Sequence, residues 1–218
     1  AAECGADAVK FQMFLADEPL FCPMPGDERR MARWARTELS LEAWRDLAKF
    51  ASRKRIDLLW SAFQPTCVEW LKELKPRYVK VASRAGETFP FWPEAHYLIS
   101  RSAPIFLAHE PLGWKSWHAS APIFLAHEPI RRDLLKCVPK YPSPLDESAY
   151  DSAFAGLSDH SGTIWPGLDA ICRGARFLEV HFKSPGADMD NDTPVCLTPA
   201  QLTLLCEMRD AHVRMHPA

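Results

Sequence analysis

Two stretches, Gly156-Leu157-Ser158-Asp159-His160 and Phe177-Leu178-Glu179-Val180-His181, decide the fold. Each runs from apolar residues into an acid and an imidazole. A strand that crosses a core and delivers its last side chains to an open rim has this pattern. Thr163 to Arg176 lie between them, enough chain for one crossover helix. Two parallel strands joined by a helix put His160 and His181 on the same rim. Two imidazoles with carboxylates close by are suitable donors for a divalent metal. The competing reading of each histidine is a hydrogen-bonded core residue.

The same alternation extends outward from these stretches. Strands are expected near 8–12, 56–61, 78–83, 104–108, 134–138, 155–158 and 177–182. Several are continuous runs of Val, Ile, Leu and Phe, which suits strands covered on both faces. Leu41 to Arg53 is the clearest helix, with Ser40 as N-cap and Leu41, Trp44, Leu47, Ala48 and Ala51 as its apolar stripe. Further helices are expected at 66–74, 164–173 and 199–214, the last with Thr198 as cap and Pro199 in the first position. Residues 13–37 read as a long, Pro-containing loop of the kind that covers an active site. Seven strands alternating with helices predict an α/β protein, a (β/α)8 TIM barrel with seven of its eight strands, forming a single domain over 1–218. The alternative is an open doubly wound sheet, but no Gly-rich phosphate fingerprint follows any strand.

Bulk properties remove several function classes. A chain of 218 residues suits one domain, and 47% hydrophobic with 25% charged residues is ordinary globular composition. A net charge of −2 gives no reason to expect nucleic acid or an anionic membrane as partner. No apolar run is long enough to span a bilayer and no signal peptide is visible. Seven cysteines at irregular spacing do not read as a disulfide framework, and none forms a Cys-x-x-Cys pair. A reducing cytoplasm is the expected location. The opening Ala1-Ala-Glu-Cys-Gly-Ala-Asp7 reads as the end of a helix, a Gly stop and the approach to a strand, as expected of a fragment lacking its first strand.

Several short motifs occur in a fixed order: Ala6-Asp-Ala-Val-Lys-Phe-Gln12, Tyr78-Val-Lys-Val-Ala-Ser83, Leu135-Lys-Cys-Val-Pro-Lys-Tyr-Pro-Ser-Pro144, the two histidine stretches, Asp192 and Leu197-Thr-Pro199. In this order and spacing nearly the whole chain resembles the N-acetylneuraminate (sialic acid) synthase family. The resemblance implies a transferase of sialic (nonulosonic) acid biosynthesis. It would condense phosphoenolpyruvate with an N-acylated amino sugar, N-acetylmannosamine or a related hexosamine, and release phosphate. It also implies a Mn2+ or Mg2+ cofactor, a homodimer in the complete protein, and a C-terminal antifreeze-like domain that this chain lacks.

The resemblance assigns roles residue by residue. Lys10, Lys80 and Ser83 fall on positions that hold the phosphate and carboxylate of phosphoenolpyruvate, and Ser61 on that of a Thr hydroxyl. Taken alone, a Lys on a buried strand is costly unless it reaches a partner or the rim, which already marks Lys10 and Lys80. Tyr141 falls on a Tyr-Pro motif near substrate; alone, Tyr141-Pro142 reads as an ordinary turn. Gln12 and Asp192 fall on residues near the sugar, where each would otherwise read as solvated. His160 and His181 match the metal ligands. Glu179 lies two residues before His181, so a strand puts both on one side. It is either an acid or base beside the metal or a carboxylate paired with a barrel Lys. Asp159 points the opposite way and braces the rim.

The chain also departs from the family pattern. Ala108-His-Glu-Pro111 stands where Ser-Thr-Gly-Met is usual, Pro139 replaces an Asn, and Ala62-Phe-Gln64 replaces Pro-Phe-Asp. Ser102 to Pro111 recurs unchanged as Ser120 to Pro129. A period of eighteen is too short for a βα unit, so this reads as a local duplication rather than a solenoid. His109-Glu110 and His127-Glu128 have no second His at zinc-protease spacing. These departures, and the strand with a catalytic Glu that the family places before Ala1, support an alternative. In it the chain is a catalytically inactive barrel that binds or scaffolds, or a non-functional gene fragment. On either reading residues 1–218 alone are expected to have no synthase activity, since the family's catalytic Glu and sugar-capping domain lie outside them.

Overall fold

The computed structural model describes residues 1–20, 23, 25–82, 105–109, 132–187 and 192–217. They fall into two compact units, one carrying the first four strands and the other the last four.

In the first of these units, β1 (Ala8–Met13), β2 (Asp57–Ala62), β3 (Val79–Val81) and β4 (Ile105–His109) pair in sequence order, all parallel. Helix α2 (Leu41–Arg53) forms as expected: Ser40 Oγ accepts from Ala43 N at 3.2 Å, and Trp44 and Ala51 form its buried face. Trp44 packs on Phe11 and Trp60, ring centres 6.2 and 6.4 Å away. Phe11 and Trp60 are register partners, so this face of the sheet belongs to the helix. Helix α3 (Pro65–Leu74) starts on a Pro and buries Cys67, Val68 and Leu71.

The loop expected at 13–37 is corrected by helix α1 (Asp27–Thr37). Gly26, at φ 87°, turns the chain into it, and Asp27 and Glu28 occupy its first turn. Only Trp34 of this helix is buried, stacked 4.5 Å from Phe14 and tilted against Phe63. Trp34 is its main anchor, with Met31 packed against the same cluster, and most of its other residues are charged.

In the other unit, β5 (Arg132–Cys137), β6 (Gly156–Asp159), β7 (Phe177–Phe182) and β8 (Cys196–Leu197) again pair in order and parallel. The two-residue β8 adds to the seven strands expected. Between β5 and β6 lies a short helix, α4 (Leu145–Ser148), and between β6 and β7 lies α5 (Trp165–Cys172). Leu157 and Leu178, register partners, pack on Ala170 of α5. Gly156 is required by close approach, since a Cβ there would sit 2.1 Å from the Phe177 carbonyl oxygen. Helix α6 (Pro199–Met215) opens on a complete capping box between Thr198 and Gln201. Its Arg209 grips the first residues of the chain, donating to Asp7 at 2.6 Å and to the Gly5 carbonyl at 3.0 Å.

Parallel strands taken in sequence order, with helices in most of the connections, are the arrangement of a (β/α) barrel sheet. Among the described residues no helix is long and apolar enough to cross a membrane. Of the duplicated decapeptide, the first copy supplies β4, and the second copy lies outside the described residues.

Candidate active site

The helix contacts settle which face of each sheet carries the polar residues. In the β1–β4 unit Phe11 and Trp60 point to α2, so alternation puts Lys10, Gln12 and Ser61 on the opposite face, with Gln12 and Ser61 paired in register. Trp60 pairs with Val79, which brings Lys80, the next residue, to that same face. Four of the residues singled out in the sequence therefore share one face of three adjacent strands. Lys80 and Ser61 are buried, and Lys10 is half-buried. Ser61 Oγ has no hydrogen-bond partner among the described residues. Ser83 lies outside the described residues.

In the β5–β8 unit Leu157 and Leu178 point to α5, which leaves Cys137, Ser158, Glu179 and His181 on the opposite face; Cys137 pairs with Ser158, and Ser158 with Glu179. His160, one residue past β6, continues this alternation. The His160 and His181 ring centres are 5.0 Å apart. Tyr141 lies against both, 4.6 Å from the His160 ring and 5.9 Å from the His181 ring, and is half exposed. Its segment is held by the backbone, as Ser143 N donates to the His160 carbonyl at 2.9 Å. Ser158 Oγ donates to Glu179 Oε2 at 2.6 Å, so a fixed carboxylate stands two residues before His181. Cys137 Sγ is 3.7 Å from His160 Nδ1, with both residues buried.

Asp159 faces the other way. It is buried and accepts from Ser161 N at 2.9 Å and Ser161 Oγ at 3.0 Å. Burial pushes its carboxyl above the usual range, and the Ser161 and His160 hydrogen bonds oppose that shift. It braces the turn after β6, as its alternation predicts. Asp192 precedes a 3₁₀ turn (Thr193–Val195), and its carbonyl accepts from Val195 N and Cys196 Sγ. The rest of the acidic run, 188–190, lies outside the described residues.

The histidine pair can be tested as a metal site by its spacing. Two imidazoles on adjacent positions of an octahedral ion have ring centres about 4.5 Å apart, given a metal–nitrogen bond of about 2.1 Å and about 1.1 Å from nitrogen to ring centre. The observed 5.0 Å lies within a small ring movement of that value. Among the described residues no group of three or more His, Cys, Asp or Glu side chains is placed to hold an ion. A donor set of two imidazoles suits a divalent transition-metal ion and leaves its other positions to water and substrate oxygens. The residues fit such a cation.

Three residues at these sites were not assigned roles from the sequence. Cys137 and Ser158 stand within the quoted motifs, and period-two counting from His160 finds both, but only the strand register shows what they touch. Gln64, met as a departure from the family pattern, is fully buried. Its Nε2 donates to the Leu15 carbonyl at 2.8 Å and its Oε1 accepts from Leu15 N at 3.1 Å.

Parallel strands in sequence order, with polar residues on the face turned from the helices, define a barrel-type α/β protein. The pattern of the NeuB family matches residues 1–215, and the chain belongs to that family. N,N'-diacetyllegionaminic acid synthase of Campylobacter jejuni is 26% identical over 225 residues, covering 94% of this chain and 67% of that protein. Human N-acetylneuraminate-9-phosphate synthase is 24% identical over 230 residues, covering 94% and 61%. The chain thus spans roughly two thirds of the length of these relatives. The crystal structure of N-acetylneuraminic acid synthetase from Leptospira borgpetersenii superposes on the whole chain and on 76% of its own, with a TM-score of 0.78 at 21% identity, a likeness that shows the fold.

Proposed function

We propose that this chain is the barrel portion of a cytoplasmic, homodimeric synthase that joins phosphoenolpyruvate to an N-acylated amino sugar, N-acetylmannosamine or a related hexosamine. The observation that carries this reading is the cluster of Tyr141, His160 and His181 beside the Ser158–Glu179 hydrogen bond, in a chain that belongs to the NeuB family. In the reaction, C3 of phosphoenolpyruvate forms a bond to the sugar's aldehyde carbon. Water adds at C2, and the tetrahedral intermediate loses phosphate by cleavage of its C–O bond. The products are a nonulosonic acid and inorganic phosphate.

Each group has a task in this scheme. Lys10 and Lys80 supply positive charge for the phosphate and carboxylate, and the Ser61 hydroxyl donates to the same anion. Ser83 belongs to this set through its place in the Tyr78–Ser83 motif. Gln12 and Asp192 bind hydroxyl groups of the sugar. Glu179, oriented by Ser158, moves a proton during water addition or phosphate departure. Tyr141 covers the histidines and excludes water. A Mn2+ or Mg2+ held by His160 and His181 would supply Lewis-acid polarisation of the aldehyde oxygen.

The test is a phosphate-release assay of the whole synthase that carries this barrel portion, with phosphoenolpyruvate, Mn2+ and N-acetylmannosamine or another N-acylated hexosamine. Release that requires both sugar and metal, and is lost in His160→Ala and His181→Ala, is the expected result. Release indifferent to sugar, or unchanged in both variants, contradicts the reading.

A further inference from the structure

We propose that Cys137 is a positioning residue for His160, holding the imidazole with its proton on Nδ1 so that Nε2 presents the lone pair that takes an external ligand. The inference rests on the metal reading above for its consequence, and on geometry alone for the contact.

The contact is built by the sheet. β5 and β6 pair with Cys137 opposite Ser158, so Cys137 lies diagonally across the ladder from His160, on the face turned away from α5. Cys137 is 3% exposed and His160 5%, so neither exchanges its neighbours freely with water. The sulfur stands 3.7 Å from Nδ1, within reach of an N–H···S or S–H···N contact. The His160 ring is also bounded by Tyr141 at 4.6 Å and His181 at 5.0 Å, and its backbone carbonyl is tied to Ser143 N. A flip of the ring about Cβ–Cγ would replace Nδ1 with Cδ2 against the sulfur, and Tyr141 and His181 stand in its way.

The choice between the two contacts follows from what each leaves at Nε2. A neutral imidazole carries one proton. If the thiol donated to Nδ1, the proton would sit on Nε2 and no lone pair would face outward. If Nδ1–H donates to sulfur, Nε2 is the bare nitrogen. Ligating histidines as a class donate their other N–H to an acceptor, which fixes tautomer and ring orientation. Sulfur is a weak acceptor, so its contribution is orientation at a dry position rather than strong binding. A serine hydroxyl can take the same role, and a methyl group cannot.

The test reads the tautomer without metal and the affinity with it. Long-range 1H–15N correlation spectra of the metal-free protein at pH 8 identify the protonated nitrogen of His160, assigned by its loss in His160→Gln. Mn2+ titration followed by electron paramagnetic resonance gives the affinity. Expected are an Nδ1–H tautomer in the wild type, a mixed or Nε2–H tautomer in Cys137→Ala with affinity about tenfold weaker, and recovery of both in Cys137→Ser. An Nε2–H tautomer in the wild type, or a Cys137→Ala protein with tautomer and affinity unchanged, overturns the proposal. A wild type with the Nδ1–H tautomer that binds neither Mn2+ nor Mg2+ contradicts the metal reading and supports the orienting role of Cys137. If Cys137→Ala does not fold, the wild-type tautomer and the Cys137→Ser spectrum decide.

Discussion

Ser158 Oγ and Glu179 Oε2 are 2.6 Å apart, and the two residues are direct partners in the β6–β7 register. The hydrogen bond is a product of the sheet: any strand slip would separate the pair. It fixes one carboxylate oxygen on the strand face that also carries His181. Glu179→Gln is expected to lower kcat of the proposed condensation about 100-fold or more, the range of a lost general acid or base. Ser158→Ala removes one hydrogen bond to a charged group, about 1.5–3 kcal/mol, and is expected to lower kcat more mildly, by roughly 10- to 100-fold. Steady-state kinetics on both variants checks this. A Glu179→Gln enzyme with wild-type kcat removes Glu179 from the chemistry.

Gly156 makes a sharper stability prediction. A methyl group at this position would meet the Phe177 carbonyl oxygen at 2.1 Å and its carbon at 2.8 Å, both backbone atoms of the paired strand. Backbone in a sheet cannot yield as a side chain can. Gly156→Ala is expected to cost about 3 kcal/mol or more, at the upper end of overpacking effects. Urea denaturation measures it, and a loss below about 1 kcal/mol would show that β6 and β7 are spaced differently.

Much of this arrangement is legible in the sequence, and the rest is hidden for physical reasons. The histidine strands and α2 stand out because alternation, a Ser40 cap and an apolar stripe are local signals. Helix α1 is hard to read because it is rich in charged residues and its anchors, Trp34 and Met31, gain meaning only against Phe14 and Phe63. β8 is two residues long, too short for any period. The shared face of Lys10, Gln12, Ser61 and Lys80 needs the strand register, which sequence does not contain. The Cys137–His160 contact is diagonal across two strands, and no spacing along the chain announces it.

Gln64 ties the segment after β1 to the start of α3 by bonding both backbone groups of Leu15. Gln64→Leu keeps the volume and strands both groups. Since each unsatisfied buried group costs about 1–3 kcal/mol, a loss of about 2–4 kcal/mol is expected in urea denaturation. Full stability in this variant would mean that water reaches Leu15.

Cys67 gives a pH prediction. Burial pushes its thiol up to about 12, opposed by its contact with Gln64. An unfolded thiol titrates near about 8.5. Between those values the unfolded chain loses the proton and the folded chain keeps it, so stability falls as pH rises. At pH 10 the contribution is about 2 kcal/mol relative to pH 7. Cys67→Ala is expected to remove that part of the alkaline decline, as denaturation curves at pH 7 and pH 10 would show. Cys67 should also resist alkylation at pH 8 while the exposed Cys172 reacts. Equal labelling of the two would contradict the burial of Cys67.

A synthase that forms a carbon–carbon bond and releases phosphate by C–O cleavage leaves a signature that one isotope measurement reads. Phosphoenolpyruvate carrying 18O in the oxygen between C2 and phosphorus is incubated with the whole synthase that carries this barrel portion, Mn2+ and N-acetylmannosamine or a related N-acylated hexosamine, and the products are weighed by mass spectrometry. Expected are 18O in the released phosphate, a nonulosonic acid formed in equal amount, and neither product without the sugar. Label retained in a three-carbon keto acid, or phosphate formed at the same rate without sugar, would contradict that chemistry.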